Sequence, residues 1–225
     1  MPRHIIFDLD GTLVDSVGIT VAIINQMFAS RGIDQTACPI ITRAHVSAGG
    51  EAMIAAVMGP HCTDPKADIA EFRRIHAETP TPPDTLFPLV AEQLAELAAA
   101  GFILSICSNK PQNLCDKVLA DLQIAQYFKL IVGSRDGLPK KPEPDLMQIV
   151  LADLAAVPED CIFVGDSKLD LLAARHFDMP FVLVDWGYGD DMPWPPKGPG
   201  GYDVVSDMPS LVTLAQRLQQ GHVPA

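Results

Sequence analysis

The stretch that decides the fold reads Ile5-Ile6-Phe7-Asp8-Leu9-Asp10-Gly11-Thr12-Leu13-Val14-Asp15-Ser16. It begins with a short apolar run that ends at charged residues, which is typical of a buried strand. Asp8 and Asp10 follow, and residues two apart share one face of a strand, so their carboxylates converge. Such close carboxylates repel each other unless a cation lies between them or one is protonated. The stretch predicts a site for an ion such as Mg²⁺, with one carboxylate free to act as a nucleophile; a surface turn or a calcium-type loop is the alternative.

The composition is that of an ordinary globular protein. The chain has 225 residues, 48% of them hydrophobic and 20% charged, which allows one large domain or two modest ones. No apolar run approaches the ~20 residues that span a bilayer, and the start carries no signal-peptide pattern, so we expect a cytoplasmic location. A net charge of −12 argues against nucleic acid and membranes as partners. The five cysteines include no Cys-x-x-Cys pair, which argues against a zinc site.

A block with helical periodicity follows the first strand. Helical segments are predicted at residues 19–28, 51–58 and 68–78. A proline-rich linker at residues 79–84 ends the block. These helices either cover the sheet or form a separate cap, and the linker favours the cap. The predicted division is a core of residues 1–15 and 84–225 with an inserted helical cap of residues 16–83.

Helices and apolar strands alternate in the rest of the chain. Helices are predicted at 88–100, 113–122, 145–154 and 169–176, and strands at 102–107, 130–132, 161–164 and 181–184. This alternation predicts an α/β fold, a Rossmann-like doubly wound parallel sheet covered on both faces. Ligands of such sheets bind at the carboxyl ends of the strands, where we expect Asp8, Ser108, Gly133 and Asp166.

Three further polar motifs follow, two of them at predicted strand ends and one before a predicted helix. Ser108-Asn109-Lys110-Pro111 offers a hydroxyl and amide groups before a helix, which suits phosphate or, alternatively, a helix cap. Lys140-Lys141-Pro142-Glu143-Pro144-Asp145 contains a basic pair of the kind that is usually solvated surface. Gly165-Asp166-Ser167-Lys168-Leu169-Asp170 places two acids one helical turn apart, so one can bind a metal and the other support it.

The four motifs, in this order, resemble those of the haloacid dehalogenase-like hydrolases, most closely the phosphoglycolate phosphatase-like branch. The resemblance implies a Mg²⁺-dependent phosphatase for a small-molecule phosphate ester. It implies that Asp8 attacks phosphorus and forms an aspartyl-phosphate, while Asp10 protonates the leaving group and then activates water. Lys141 would be the third catalytic residue, stabilising both reaction partners.

The same resemblance implies the binding residues. Mg²⁺ would be held by Asp8, the main-chain carbonyl of Asp10 and Asp166, with Asp170 in support. Phosphate oxygens would be held by Ser108, the amide of Asn109, and the turn at Leu9 and Thr12. The resemblance is thin across the cap, where substrate choice resides. The candidates there are Arg43, His45 and the 47–50 loop with Gly49 and Gly50, and an exposed loop is an equal alternative.

Residues at single positions distinguish this chain from family members that have other activities. Dehalogenases and phosphonate-cleaving members have an aromatic or small residue in place of Asp10, so we set them aside. A sugar phosphomutase usually has Glu-Asp in place of Gly165-Asp166 and a histidine in the first cap helix, which this chain lacks. The mutase remains the alternative to a phosphatase, and a non-catalytic binding protein is more remote. The sequence leaves open the choice between monomer and homodimer, and the role of the Pro/Gly-rich segment 190–201.

Overall fold

The structure, a computed structural model, describes residues 3–46, 49–189 and 201–220. Its strands are β1 (His4–Phe7), β2 (Ile103–Pro111), β3 (Phe128–Ser134), β4 (Cys161–Gly165), β5 (Phe181–Val184) and β6 (Asp203–Val205). Its α-helices are α1 (Val17–Ser30), α2 (Pro39–His45), α3 (Gly50–Met58), α4 (Pro65–Glu78), α5 (Val90–Ala99), α6 (Gln112–Asp121), α7 (Asp145–Leu154), α8 (Lys168–Arg175) and α9 (Met208–Gln219).

The six strands form one parallel sheet in the order β3-β2-β1-β4-β5-β6. The chain builds outward from β1 to β3 and then returns to place β4 on the other side of β1. The strand order therefore reverses between β1 and β4, the place where sheets of this type bind ligands. The predicted Rossmann-like doubly wound α/β fold is confirmed.

Hydrophobic side chains cover both faces of the sheet. Ile5 and Phe7 pack on one face with apolar residues of α5, α6 and α9, while Ile6 packs on the other face with α7 and α8. Alternate strand residues point to opposite faces, so a strand buried on both faces needs an unbroken apolar run. This requirement explains the Ile-Ile-Phe sequence of β1.

Helices α1–α4 pack around a hydrophobic core of their own, which includes Ile24, Phe28, Ile54 and Phe72. The two chain connections between these helices and the sheet run side by side, because Asp15 N donates to the main-chain carbonyl of Thr85. The structure thus contains the helical unit that the sequence predicted. The exact division at residues 15/16 and 83/84 stays a prediction.

Three elements were missing from the prediction, namely α2, β6 and α9. β6 has three residues, too few for a periodic signal. The apolar side chains of α9 pack against α5 in the core, a contact that only the tertiary structure reveals. Within the described ranges, no helix combines the length and the apolar character that crossing a membrane requires. Residues 190–200 of the predicted Pro/Gly-rich insertion lie outside the described residues.

Candidate active site

The candidate site lies at the carboxyl edge of the sheet, in a cleft that faces the helices α1, α3 and α4. Asp8 follows β1 directly, Ser108 lies near the end of β2, and Asp166 follows β4. Lys141 reaches the same place from the loop before α7. Parallel strands all end at one edge, so residues far apart in the sequence meet there.

Lys141 forms the centre of the polar network. Its buried ammonium nitrogen Nζ lies 2.8 Å from Asp8 Oδ1, 2.6 Å from Asp170 Oδ1 and 2.8 Å from the main-chain oxygen of Cys107. Burial lowers the pKa of Lys141, but Asp170 and Asp8 outweigh this effect and raise it above its ordinary value. Lys141 is therefore a fixed positive charge beside the predicted nucleophile.

Three buried carboxylates cluster beside Lys141, and its ammonium contacts two of them, Asp8 and Asp170. Asp8, Asp166 and Asp170 each place an oxygen so that the three oxygens lie within 4.8 Å of one another. Burial raises the pKa of Asp8 to about 6, with Asp170 adding to the shift and Lys141 opposing it. Burial, followed by repulsion from Asp170 and Asp8, raises the pKa of Asp166 well above its usual range. The cluster holds more negative charge than its cation balances, so its donor set fits a hard divalent metal ion.

Glycines leave the space that Asp166 occupies. A Cβ atom on Gly11 would lie 2.2 Å from Asp166 Oδ2, and one on Gly187 would lie 2.3 Å from Asp166 Cβ. The main-chain amide of Tyr188 donates to Asp166 Oδ2 at 2.8 Å. The loop after β5 therefore helps to orient Asp166, although it is distant in the sequence.

Asp170 is held by protein donors on both carboxylate oxygens. Oδ1 accepts from Lys141, while Oδ2 accepts from the amide and hydroxyl of Ser167 at 3.1 and 2.6 Å. The Ser167 hydroxyl in turn accepts from the Asp170 amide, which completes a capping box at the start of α8. With both oxygens occupied, Asp170 is placed to support the cluster rather than to bind a metal directly.

Asp10 pairs with Lys110, a contact that the sequence reasoning missed. Lys110 Nζ lies 2.9 Å from Oδ1 and 2.8 Å from Oδ2 of Asp10. The ammonium side chain is 8% exposed and the carboxylate 20% exposed. The available signal was spacing, because Lys110 stands two residues after Ser108 and lies in the same β2 strand.

The two predicted phosphate-binding residues of β2 line the cleft. The Ser108 hydroxyl accepts from the main-chain amide of Lys110 at 3.3 Å. The Asn109 side chain makes a pair of hydrogen bonds with the main chain of Lys141, at 3.0 Å to its oxygen and 2.8 Å from its amide. Asn109 thereby fixes the loop that carries Lys141 against β2.

Leu9 and Thr12 are fully buried and do not line the cleft. The Thr12 amide donates to the Leu9 carbonyl at 3.3 Å, and the Thr12 hydroxyl donates to Asp166 Oδ1 at 3.5 Å. Both Thr12 donors are thus used inside the protein, where they stabilise the turn and Asp166. The predicted phosphate contacts at these two positions stay predictions.

Two of the predicted cap residues, Arg43 and His45, are not among the residues that line the cleft, and their predicted contact with the substrate stays a prediction. The guanidinium of Arg43 donates to the main-chain oxygens of Trp186 and Gly187 and lies 5.2 Å from the ring centroid of Tyr188. The half-buried His45 ring bonds to the carbonyl of Ile41 in its own helix. Arg43 therefore joins the cap to the loop after β5, whereas the described contact of His45 is local to α2.

Gly49 and Gly50 do line the cleft, together with cap residues that the sequence did not single out. A Cβ atom on Gly50 would lie 2.9 Å from Ile69 Cγ1 and 3.0 Å from Arg73 Nη2, so glycine permits the close packing of α3 on α4. Arg73, His76 and, from the core, Lys140 also line the cleft. Which face of α4 meets the cleft depends on tertiary packing, so no local pattern marked these residues.

The comparisons with known proteins agree with this fold. Residues 5–184 match the family model described as haloacid dehalogenase-like hydrolase. A phosphoglycolate phosphatase of Xanthomonas campestris is 36% identical over 200 residues, covering 85% of this chain and 88% of the relative. One of Photorhabdus laumondii is 34% identical over 191 residues, covering 83% and 81%. The crystal structure of a predicted phosphoglycolate phosphatase from Haemophilus somnus superposes with a TM-score of 0.78 at 23% identity, covering 96% and 98%.

The chain has a parallel α/β sheet with a lysine-bound carboxylate cluster at its carboxyl edge. The family model of a hydrolase matches most of the length of this chain. The chain belongs to the haloacid dehalogenase-like hydrolases, in the phosphoglycolate phosphatase-like branch. It is an enzyme of the phosphoric monoester hydrolase class.

Proposed function

We propose that this enzyme is a Mg²⁺-dependent phosphatase that hydrolyses a small phosphorylated metabolite, phosphoglycolate-like or a sugar phosphate, through an aspartyl-phosphate. The observation that carries the proposal is the contact between Lys141 Nζ and Asp8 Oδ1, 2.8 Å long, at the floor of the cleft. In this contact a fixed cation orients the Asp8 carboxylate, and one side of the carboxylate stays open to a ligand. The names of the curated relatives support phosphoglycolate as the first ester to test.

The charge balance of the site supports a divalent metal ion. We propose that Mg²⁺ is held by Asp8, Asp166 and the main-chain carbonyl of Asp10, with Asp170 in support. When bound, such an ion offsets the charge between an anionic nucleophile and an anionic phosphate. The raised pKa values of Asp8 and Asp166 support this assignment, because a nearby cation would favour the charged forms of both side chains.

In the first step, a carboxylate oxygen of Asp8 attacks phosphorus, and the bond from phosphorus to the leaving oxygen breaks. Lys141 holds the attacking carboxylate and offers positive charge beside the phosphoryl oxygens. Ser108 and the amide of Asn109 would receive those oxygens, which is supported by the position of both residues in the lining of the cleft. The product is an acyl phosphate on Asp8 and an alcohol.

Asp10 is proposed as the acid and then the base. It gives a proton to the leaving oxygen in the first step and takes a proton from water in the second, when water attacks the acyl phosphate. The two transfers balance, so Asp10 returns to its starting state with free phosphate released. Lys110 holds both Asp10 oxygens and keeps the side chain at the cleft wall.

The test is phosphate release from small phosphate esters, with Mg²⁺ and with chelator, in the wild type and Asp8→Asn. The proposal expects Mg²⁺-dependent release that is lost in the variant. Interconversion of glucose phosphates without phosphate release would instead establish the mutase. Binding of beryllium fluoride, an acyl-phosphate mimic, to the wild type but not to Asp8→Asn would show a competent site even if the ester panel lacks the substrate. No turnover and no binding would overturn the proposal.

The sequence-based expectations about the cell remain part of the proposal. We propose that the enzyme acts in the cytoplasm on a small molecule, without nucleic acid or membrane as a partner. The net charge of −12 supports this choice, because anionic polymers and surfaces repel an acidic protein. The choice between monomer and homodimer stays open to a measurement of mass in solution.

A further inference from the structure

We propose that Arg73, Lys140 and His76 form a subsite for a second anionic group on the substrate, carried by the leaving group. This inference rests on the proposed phosphatase function and narrows it. The preferred substrates are phosphate monoesters with an additional carboxylate or phosphate, and esters with a neutral tail are poor substrates.

Arg73 and Lys140 bring two positive charges into the cleft from different parts of the fold. Arg73 lies on the cap helix α4, and Lys140 lies on the core loop that precedes α7. Both side chains are half-buried and line the cleft. In the part of the chain that the structure describes, neither side chain forms an ion pair. The other two lysines of the cleft are already paired with carboxylates, Lys110 with Asp10 and Lys141 with Asp8 and Asp170.

The two free cations are close enough to repel each other. Burial lowers the pKa of Lys140, and Arg73 is the next largest cause of that shift. Glu51 and Asp136 raise the pKa of Lys140, but they do not reverse the shift. Unpaired cations facing one cleft are unexpected in a chain with a net charge of −12. An anion bound between Arg73 and Lys140 would relieve the repulsion and satisfy the donors of both side chains.

His76 provides independent evidence for a ligand in the same cleft. It lies three residues after Arg73 on α4, so the two side chains share one face of the helix. His76 is only 2% exposed and lines the cleft, yet neither ring nitrogen has a hydrogen-bond partner in the described structure. Buried polar atoms without a partner are rare in native proteins. A ligand oxygen in the cleft would supply the partner that the protein does not.

Apolar side chains limit the size of what binds there. Phe72 packs edge-on against His76 with ring centroids 5.7 Å apart, and Met53 and Ile69 line the adjoining wall. A polar tail without charge would lose water in this environment and leave Arg73 and Lys140 unpaired. Discrimination against neutral tails therefore follows from the same residues that bind the anion.

The adjacent residues Lys140 and Lys141 have different roles in this proposal. Lys141 points to Asp8, where the phosphoryl group reacts, whereas Lys140 lies near Arg73 on the cap side of the cleft. One loop thus contributes a cation to each end of the substrate. A carboxylate and a second phosphate would both match the far end, so the experiment must separate them.

The experiment compares esters that differ in the charge of the tail. We would measure kcat/KM for ethyl phosphate, phosphoglycolate and propane-1,3-diol bisphosphate with the wild type, Arg73→Met and Lys140→Met. The wild type is expected to prefer at least one anionic ester over ethyl phosphate by tenfold or more. Each variant is expected to raise KM for that ester at least tenfold and not to lower kcat/KM for ethyl phosphate, so the preference for the anionic tail is reduced. Whichever anionic ester is favoured identifies the tail as a carboxylate or a second phosphate.

The matched control is Arg74→Met, because Arg74 is the exposed neighbour of Arg73 and pairs with Glu78 on the outer face of α4. It is expected to leave all three esters unchanged. For His76, the conservative His76→Gln keeps a hydrogen-bonding group and should retain more of the preference than His76→Phe. Equal losses on charged and neutral esters in the Arg73 and Lys140 variants would overturn the proposal, as would a wild type that shows no preference.

A binding measurement separates this proposal from the proposed function. Calorimetry with Asp8→Asn would compare phosphoglycolate, the bisphosphate and ethyl phosphate in the presence of Mg²⁺ and without turnover. Tighter binding of an anionic-tailed ester that is lost in Asp8→Asn/Arg73→Met supports the subsite even if the wild type hydrolyses none of the three. Equal binding of all three esters would overturn the subsite even if the wild type is an active phosphatase.

Discussion

Lys110 Nζ binds both carboxylate oxygens of Asp10, at 2.9 and 2.8 Å, and so fixes the proposed acid and base against the wall of the cleft. The pair connects β2 to the turn after β1, across two neighbouring strands of the sheet. Lys110, which the sequence did not single out, thereby controls the position of Asp10, which the sequence predicted to be catalytic. The contact leads to the first prediction.

Lys110→Met is expected to lower kcat about tenfold or more, because Asp10 loses the group that holds it and general acid–base catalysis depends on position. Lys110→Arg keeps a positive charge and should lose less. Phosphate release at saturating ester measures the effect. Lys129→Met, an exposed lysine on β3, serves as the control and should retain wild-type kcat. Wild-type kcat in Lys110→Met would show that the contact has no part in turnover.

Lys141→Met should destabilise the protein by about 3 to 5 kcal/mol, since it leaves Asp8 and Asp170 buried without their cation. Urea unfolding at neutral pH in chelator measures the change. In Lys141→Met/Asp170→Asn, part of the loss should be recovered, because one uncompensated charge is removed. If the single variant unfolds at the wild-type urea concentration, the pairing contributes nothing to the stability of the metal-free protein.

Asp166→Asn should stabilise the metal-free protein at pH 7.5. The folded protein raises the pKa of Asp166 above the unfolded value, so its charged form opposes folding at neutral pH. We also expect Mg²⁺ to raise the melting temperature of the wild type and not that of the variant. Asp34→Asn, at an exposed position in the cap, is the control and should change neither quantity. An equal Mg²⁺ shift in Asp166→Asn would contradict the assignment of Asp166 to the metal site.

Arg43→Met should lower kcat/KM severalfold, because Arg43 joins the cap to the carbonyls of the loop that orients Asp166. His45→Gln, on the same helix but bonded only to a carbonyl of that helix in the described structure, should behave as the wild type. Steady-state kinetics on one ester test whether Arg43 and His45 contact the substrate, as the sequence suggested, or whether Arg43 acts through the loop after β5. Equal losses in both variants would favour the original idea that these two residues contact the substrate.

His76 should make the stability of the protein depend on pH. Burial, with Lys110 adding to it, lowers the pKa of His76 to about 3, compared with about 6.5 in the unfolded chain. The unfolded state therefore binds more protons as the pH falls below about 6.5, and stability decreases by at most ~1.4 kcal/mol per pH unit.

Urea unfolding at pH 7.5 and 5.0 tests this dependence. His76→Phe should reduce the stability difference between the two pH values by about 2 kcal/mol, which is ~1.4 kcal/mol over the 1.5 units below pH 6.5. His45→Gln removes a histidine that is not in the cleft and serves as the control. The same pH dependence in His76→Phe as in the wild type would show that another group is responsible.

The sequence by itself determined the alternation of strands and helices in the core and several of the residues at the sheet edge. Apolar runs separated by helical segments specify a parallel α/β sheet, and strands of such a sheet must end at a common edge. Asp8, Ser108 and Asp166 therefore meet because of where they stand relative to their strands, whereas Lys141 was identified only through the family motif. Local spacing was sufficient for the first three residues, since it alone decides which residue follows a strand.

Only the tertiary structure decided what surrounds those residues. The pairing of Lys110 with Asp10, the reach of Arg43 to the loop after β5 and the presence of His76 in the cleft all join segments distant in the sequence. The sequence of an amphipathic helix such as α4 predicts which of its faces is apolar. It does not predict which other segment the polar residues of the helix contact, because that depends on how the cap packs on the sheet.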